Sequence, residues 1–284
     1  MHVIYSVKGW LGFICLRPNM VPSIPIDVLL LILKHVDKAS LAKICLLNKT
    51  CCSYSQDSLY RDIRITDRHC GRKVYRTLMQ STYLARRVRS FDIRSLDYAS
   101  EWGDSKLQKS LQNMTNLRHL RFGYYEDFSV LDGCTFTLDS LEIIYESFKP
   151  LHRFLHSQPS LTNFELTFAY DESYYDFHTF GTTVLPNLTW ITTHFNLLQQ
   201  LIPNRPVNEV IAYGAMPYRD SVDLSFFTLS TTPIQKLAID HSYLYSTPVT
   251  LLASIFPSLT HLRMDIPFAH GYGVGVREPL FNYS

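Results

Sequence analysis

A chain of 284 residues with 46% apolar and 13% aromatic content can bury the core of one large or two modest domains. Charged residues make up only 18%, which excludes a disordered or merely solvating chain. The net charge of +2 hides an asymmetry: residues 1–90 hold 15 Lys/Arg against 5 Asp/Glu, and residues 91–284 hold 12 against 20, so the two parts should prefer different partners.

Residues 3–16 are apolar but carry Lys8 in their middle, lack a small-residue cleavage site and are too short to span a bilayer. Residues 1–22 are therefore expected to be a poorly ordered extension. From Ser23 the row reads SIPIDVLLLILKHVDKASLAKICLLNKTCCSYSQDSLYRDIRI. Pro25, with its fixed φ and missing N–H, predicts a helix start, and Asp27 favours the same first turn against the helix dipole. Leu29, Ile32, Leu33 and Val36 follow at helical spacing and make one face apolar. Ser40 is expected to cap a second short helix carrying Leu41, Ile44 and Cys45, and Asn48 a third running toward Leu59. Val28, Leu30 and Leu31 lie off the first stripe, so a unit of this size cannot bury all its apolar residues alone. Either a partner or another part of the protein must cover them.

The run Ile24-Pro25-Ile26-Asp27-Val28-Leu29, then Ile32-Leu33, Leu41, Leu47-Asn48-Lys49 and Leu59-Tyr60, resembles the F-box. It departs from that family in Ile24 for the opening Leu, Asp27 for Glu, and Cys51 where many members place a Trp. The resemblance implies a three-helix module over residues 23–65 that docks on the Skp-type adaptor of cullin ubiquitin ligases. It implies an adaptor-binding surface made by Ile24, Pro25, Ile26, Val28, Leu29, Ile32, Leu33, Leu41, Ile44 and Leu47.

Residues 66–87 read as a linking helix. Beyond it, over residues 88–266, one pattern recurs: apolar, two variable, apolar, one variable, apolar. Its eight copies begin at Val88, Leu117, Leu138, Leu161, Leu188, Val207, Ile234 and Leu259, and they average about 24 residues apart, the spacing of leucine-rich repeats. Helix-like stretches at 106–113, 148–156, 195–202 and 249–256 fall between copies. Each unit is thus one strand and one helix that must stack on its neighbours. The predicted fold class is α/β: the helical module, then an irregular leucine-rich-repeat solenoid, a horseshoe with parallel strands on the concave side and helices on the convex side. Residues 267–284 form a tail. No capping helix follows the last copy, which raises the expectation of a truncated chain.

Period-2 alternation sends Leu120, Phe122 and their equivalents inward and leaves the intervening residues on the concave face. The expected substrate-binding surface comprises Arg94, His119, Arg121, Glu142, Glu165, Trp190, His194, Glu209, Tyr213, Lys236, Asp240 and Arg263. Trp190 is the leading contact, because Trp, Tyr and Arg dominate binding hot spots.

No catalytic constellation appears. His119, His194 and His261 are expected at matching strand positions too far apart to share a metal. Gly271, Gly273 and Gly275 precede no helix and so make no phosphate cradle. The cluster Arg61, Arg64, Arg68, Arg72, Lys73, Arg76, Arg86, Arg87 and Arg89 lacks interleaved stacking aromatics apart from Tyr75 and Tyr83, and reads as a solvated basic face. The six cysteines show no zinc-ligand spacing and read as reduced thiols of the cytoplasm or nucleus. The expectation is a substrate-recognition subunit of a Skp-cullin-F-box ubiquitin ligase. It is not an enzyme, needs no cofactor or metal, and engages an adaptor, through it a cullin, and a protein substrate, but neither nucleic acid nor membrane. The alternatives are a repeat scaffold for protein interaction outside any ligase, and a secreted repeat receptor glycosylated at Asn113 or Asn187.

Overall fold

The structure is a computed structural model. It describes residues 25–93, 104–125, 128–145, 151–168, 180–181, 183–213, 223–239 and 249–264. The chain divides into two compact units, residues 1–59 and 60–284.

In the first unit the apolar spacing after Pro25 forms α1 (Ile26–Lys34), with Asp27 in its first turn and Lys34 in its last, both favourable against the dipole. The Leu29 N–H donates to the Pro25 carbonyl at 3.0 Å and starts the helix. The next helix, α2 (Lys38–Ile44), is capped by Asp37 rather than Ser40: the Asp37 carboxylate accepts from the Ser40 N–H at 2.9 Å. An ionised acceptor at a helix start outcompetes a hydroxyl three residues further in. Its bonds with Ser40 hold the Asp37 carboxyl below the usual carboxylate range. Asn48 caps α3 (Lys49–Arg61) as expected, accepting from the Cys51 N–H at 2.8 Å.

The second unit carries one open, all-parallel sheet of nine strands in strict chain order. They are β1 (Asp62–Ile65), β2 (Ser90–Ile93), β3 (His119–Tyr125), β4 (Ser140–Tyr145), β5 (Asn163–Phe168), β6 (Trp190–His194), β7 (Glu209–Tyr213), β8 (Lys236–Ile239) and β9 (His261–Arg263). Strands β2 to β9 fall on the eight copies of the sequence pattern. The first strand is a ninth copy, Tyr60-Arg-Asp-Ile63-Arg-Ile65, with the same spacing and paired in register with β2.

One side chain parity builds the core. Phe91, Ile93, Leu120, Phe122, Leu141, Ile143, Phe164 and Leu166 are all 2% exposed or less. Each such burial stabilises by roughly 1.5–3 kcal/mol relative to leaving the side chain in water. Against this layer lie residues of α4 (Arg68–Gln80), α5 (Thr82–Ala85), α6 (Asp104–Asn113), α7 (Leu151–His156) and α8 (Phe195–Leu201), with Phe256 beyond α9 (Val249–Ile255), in one continuous apolar cluster. The expected linking helix is therefore two helices, α4 and α5, packed on the sheet. Gly71 makes this packing close: a Cβ there would stand 3.1 Å from Ile65 Cγ2. Helix α6 is tied to α4 by Asn113, whose Nδ2 donates to the Leu78 carbonyl at 3.1 Å.

A ladder just before the strands sets the register. The Arg89 carbonyl accepts from the N–H groups of both Arg118 and His119, and the Arg118 carbonyl from Asp139 and Ser140. The same two-donor rung recurs at Asp139, Thr162, Thr189, Asn208 and Gln235. Thr162, Thr189 and Thr260 add a hydroxyl bond each to the preceding rung, at 3.0, 3.2 and 3.0 Å.

Candidate functional site: an apolar helical module and the polar face of the sheet

Among the described residues of the first unit, Leu33 and Leu41 are the buried apolar ones, at 1% and 3% exposed. These two were expected on the adaptor surface; they are buried instead, because an assembly this small needs its best-placed leucines for itself. Pro25, Ile26, Val28, Ile32 and Leu47 are exposed, and Leu29 and Ile44 half-buried. Ile24 lies outside the described residues. Leu30, Leu31 and Leu46 join the exposed set although the motif reading did not select them, and Leu46, at 85%, is the most exposed large apolar residue described. The signal for Leu30 and Leu31 was the apolar character of α1 all round.

The second parity of the sheet carries the polar face, in two rows fixed by the strand register. The upper row runs Asp62, Ser90, His119, Ser140, Asn163, Trp190, Glu209, Lys236, His261, and the lower Arg64, Asp92, Arg121, Glu142, Glu165, Thr192, Ile211, Ala238, Arg263. Opposite charges meet across adjacent strands: Arg64 pairs with Asp92 at 3.5 Å, Arg121 with Glu142, and Lys236 with Glu209 at 3.2 Å. Such partly exposed pairs are each worth under about 1 kcal/mol, so they set partner preference more than stability. Arg64 belongs to this face, whereas the sequence reading, without β1, placed it in the solvated basic cluster.

The face changes character at β6. Thr192, Ile211 and Ala238 replace the charges of the lower row, and all three are buried. His194, Glu209 and Tyr213, expected as substrate contacts, are 4%, 8% and 5% exposed, and are corrected to interior positions. Glu209 is held through Oε2 by Lys236, while its Oε1 is buried without a hydrogen-bond partner. Tyr213 donates its hydroxyl to the Leu166 carbonyl, reaching from β7 to β5 across β6, and its ring stands edge-on to His194 at 6.4 Å. His194 Nδ1 accepts from the Asn196 N–H at 3.4 Å and caps α8. His194 therefore sits at the end of β6 and not in the row of His119 and His261. His119 and Arg263 are exposed, and Arg121, Glu142, Glu165, Trp190 and Lys236 half-buried. Arg94 and Asp240 lie outside the described residues. The accessible candidates thus form a continuous run from β3 to Trp190 on β6, with Lys236 and Arg263 apart from it on β8 and β9.

The basic cluster exposes Arg72, Lys73 and Arg76 along α4, while Arg87 stacks over the Tyr83 ring at 4.1 Å and bonds its hydroxyl. The side-chain nitrogens of the two sequons considered for glycosylation are both engaged: Asn113 as above, and Asn187 donating to the Pro159 carbonyl at 2.8 Å. Among the described residues, no group of three or more His, Cys, Asp or Glu is placed to hold a metal ion, and no helix is long and apolar enough to cross a membrane. Compared with family models and with curated proteins, the chain matches none.

Proposed function

We propose that this protein is a substrate-recognition subunit of a Skp-cullin-F-box ubiquitin ligase. The three short helices of its first unit are an F-box that docks on a Skp-type adaptor. The nine-stranded unit is a leucine-rich-type repeat domain, strands on its concave side, that holds a protein target by the polar face from β3 to β6. The chemistry of ubiquitin transfer belongs to other subunits, and this chain contributes proximity. Its place would be the cytoplasm or nucleus, where such ligases work.

The observation that carries the reading is the apolar surface of the helical unit. Ile26, Val28, Leu30, Leu31, Ile32, Leu46 and Leu47 stand between 37% and 85% exposed in a unit of 59 residues. Covering a handful of such side chains at about 25 cal/mol per Å² suffices for a tight interface. The spacing of the strands and their strict chain order support the repeat assignment.

The test is co-purification of the full chain with a Skp-type adaptor. The wild-type protein should bind, and Leu31→Asp and Leu47→Asp should abolish binding while leaving the fold intact, since both side chains are exposed. A folded wild-type protein that ignores the adaptor overturns the reading, and recovery of another partner without cullin marks a repeat scaffold instead.

A further inference from the structure

Three half-buried thiols crowd the joint between α2 and α3: Cys45, Cys51 and Cys52. Cys45 is the C-cap of α2, and Cys52 lies in the first turns of α3. The Cys45 thiol lies 3.9 Å from the Cys52 carbonyl oxygen. Burial, and then the neighbouring Cys52 thiol, push the Cys45 pKa up. Ser55, one turn beyond Cys52 on the same helix face, is fully buried against this group. The seven-residue separation is short, and the six residues between hold Leu46 and Leu47, at 85% and 62% exposed.

We propose that Cys45 and Cys52 form a reversible disulfide site, oxidised by a small disulfide of the glutathione kind, which closes a ring around the turn carrying Leu46 and Leu47. In the first step the Cys52 thiolate attacks one sulfur of the oxidant. One glutathione leaves as its thiolate, and Cys52 holds the other in a mixed disulfide. The Cys45 thiolate then attacks Cys52 Sγ and expels the second glutathione. Two protein thiols are oxidised, one glutathione disulfide is reduced to two thiols, and the two protons leave with those thiols. Both cysteines are half-buried rather than sealed, so a small oxidant and a reductant reach them. Closing the ring restricts the turn that presents the two leucines. That consequence for adaptor docking rests on the function proposed above, whereas the bond itself does not.

The full-length protein is incubated with glutathione disulfide, blocked with N-ethylmaleimide and digested with trypsin. Cleavage after Lys43, Lys49 and Arg61 separates ICLLNK from TCCSYSQDSLYR. The expected product is these two peptides joined, with the loss of two hydrogens, in the wild type and in Cys51→Ser, and its disappearance in Cys52→Ser and Cys52→Ala. Joined peptides that survive in Cys52→Ser but vanish in Cys51→Ser overturn the assignment. So does oxidation confined to mixed disulfides or to a Cys51–Cys52 bond within one peptide. A mapped Cys45–Cys52 bond in a protein that binds no adaptor in either state supports the site and overturns only the ligase reading.

Discussion

Arg205 donates from Nε to the carbonyl of Val184 at 2.8 Å, and this guanidinium, fully buried, takes all its partners from the backbone. Nη1 donates to the carbonyls of Gln200 and Pro203, both at 3.0 Å, and Nη2 to that of Gly181 at 2.9 Å. One side chain thereby fastens the segment before β6 to the turn after α8. Desolvation lowers the Arg205 pKa, but a guanidinium stays charged, and four carbonyl dipoles offset the cost of burying it.

Replacing Arg205 by Met keeps much of the volume and removes the guanidinium donors from four carbonyls, of which that of Gly181 keeps the Val184 N–H at 3.1 Å. Arg205→Met should destabilise the second unit by about 3 kcal/mol or more, and Arg205→Lys by less, since an ammonium reaches fewer of the four. Urea unfolding followed by circular dichroism reads this as a lower midpoint at unchanged slope. An unshifted midpoint for Arg205→Met would show that the guanidinium contributes nothing net.

Thr193 occupies a core position of β6, where β4 has Ile143 and β5 has Leu166. It is 0% exposed and its hydroxyl has no hydrogen-bond partner. Thr193→Val removes an unsatisfied polar group at nearly constant volume and should stabilise by about 1 kcal/mol. A rise in the denaturation midpoint checks it, and a fall would mean that the hydroxyl finds a partner in solution.

Asp67 caps α4 by accepting from the Cys70 N–H at 2.8 Å, and its bonds with Cys70 hold its carboxyl below the ordinary value of 3.8. A carboxyl depressed on folding adds stability above its unfolded pKa and loses it as the pH falls through the folded one. Acid titration of stability should therefore show a component lost below pH 3.8 that disappears in Asp67→Asn, which keeps the cap without titrating. Identical acid limbs in the two proteins would remove Asp67 from the account.

Burial pushes the Cys134 thiol up to about 12. At pH 8 only about one such thiol in ten thousand is ionised. Iodoacetamide should accordingly modify the exposed Cys70 well before Cys134, as read by peptide mass over time. Equal rates would mean that the segment around Cys134 opens readily.

The strands were legible because each must show the core an apolar residue at a fixed spacing, and the template found eight of the nine. It missed β1 because Tyr60, Ile63 and Ile65 fell at the end of the helical motif, where the same letters also close an F-box. Arg205 was invisible for a physical reason: a charged residue beside Pro206 reads as a solvated turn, and nothing local tells that four carbonyls converge on it. His194, Glu209 and Tyr213 had the right parity for the polar face. Parity gives the side of a sheet but not whether water reaches it, and Tyr213 finds its partner two strands away. In the first unit the spacing gave all three helices, but the same stripe held both the leucines kept inside and those left out.

The paired-donor rungs have a consequence for how this chain tolerates change in length. Each rung needs only one carbonyl and the two amides of the next copy, so the intervening segment is free to be any length that returns the backbone to that point. Copies of very unequal length can thus be stacked without altering the strand spacing. Insertions between rungs should be absorbed where they occur, whereas a single residue added inside a strand such as β5 would shift every side chain beyond it to the opposite face. Such a sheet can be lengthened, shortened or recombined in whole copies, and new contact surfaces can arise by exchanging units between rungs.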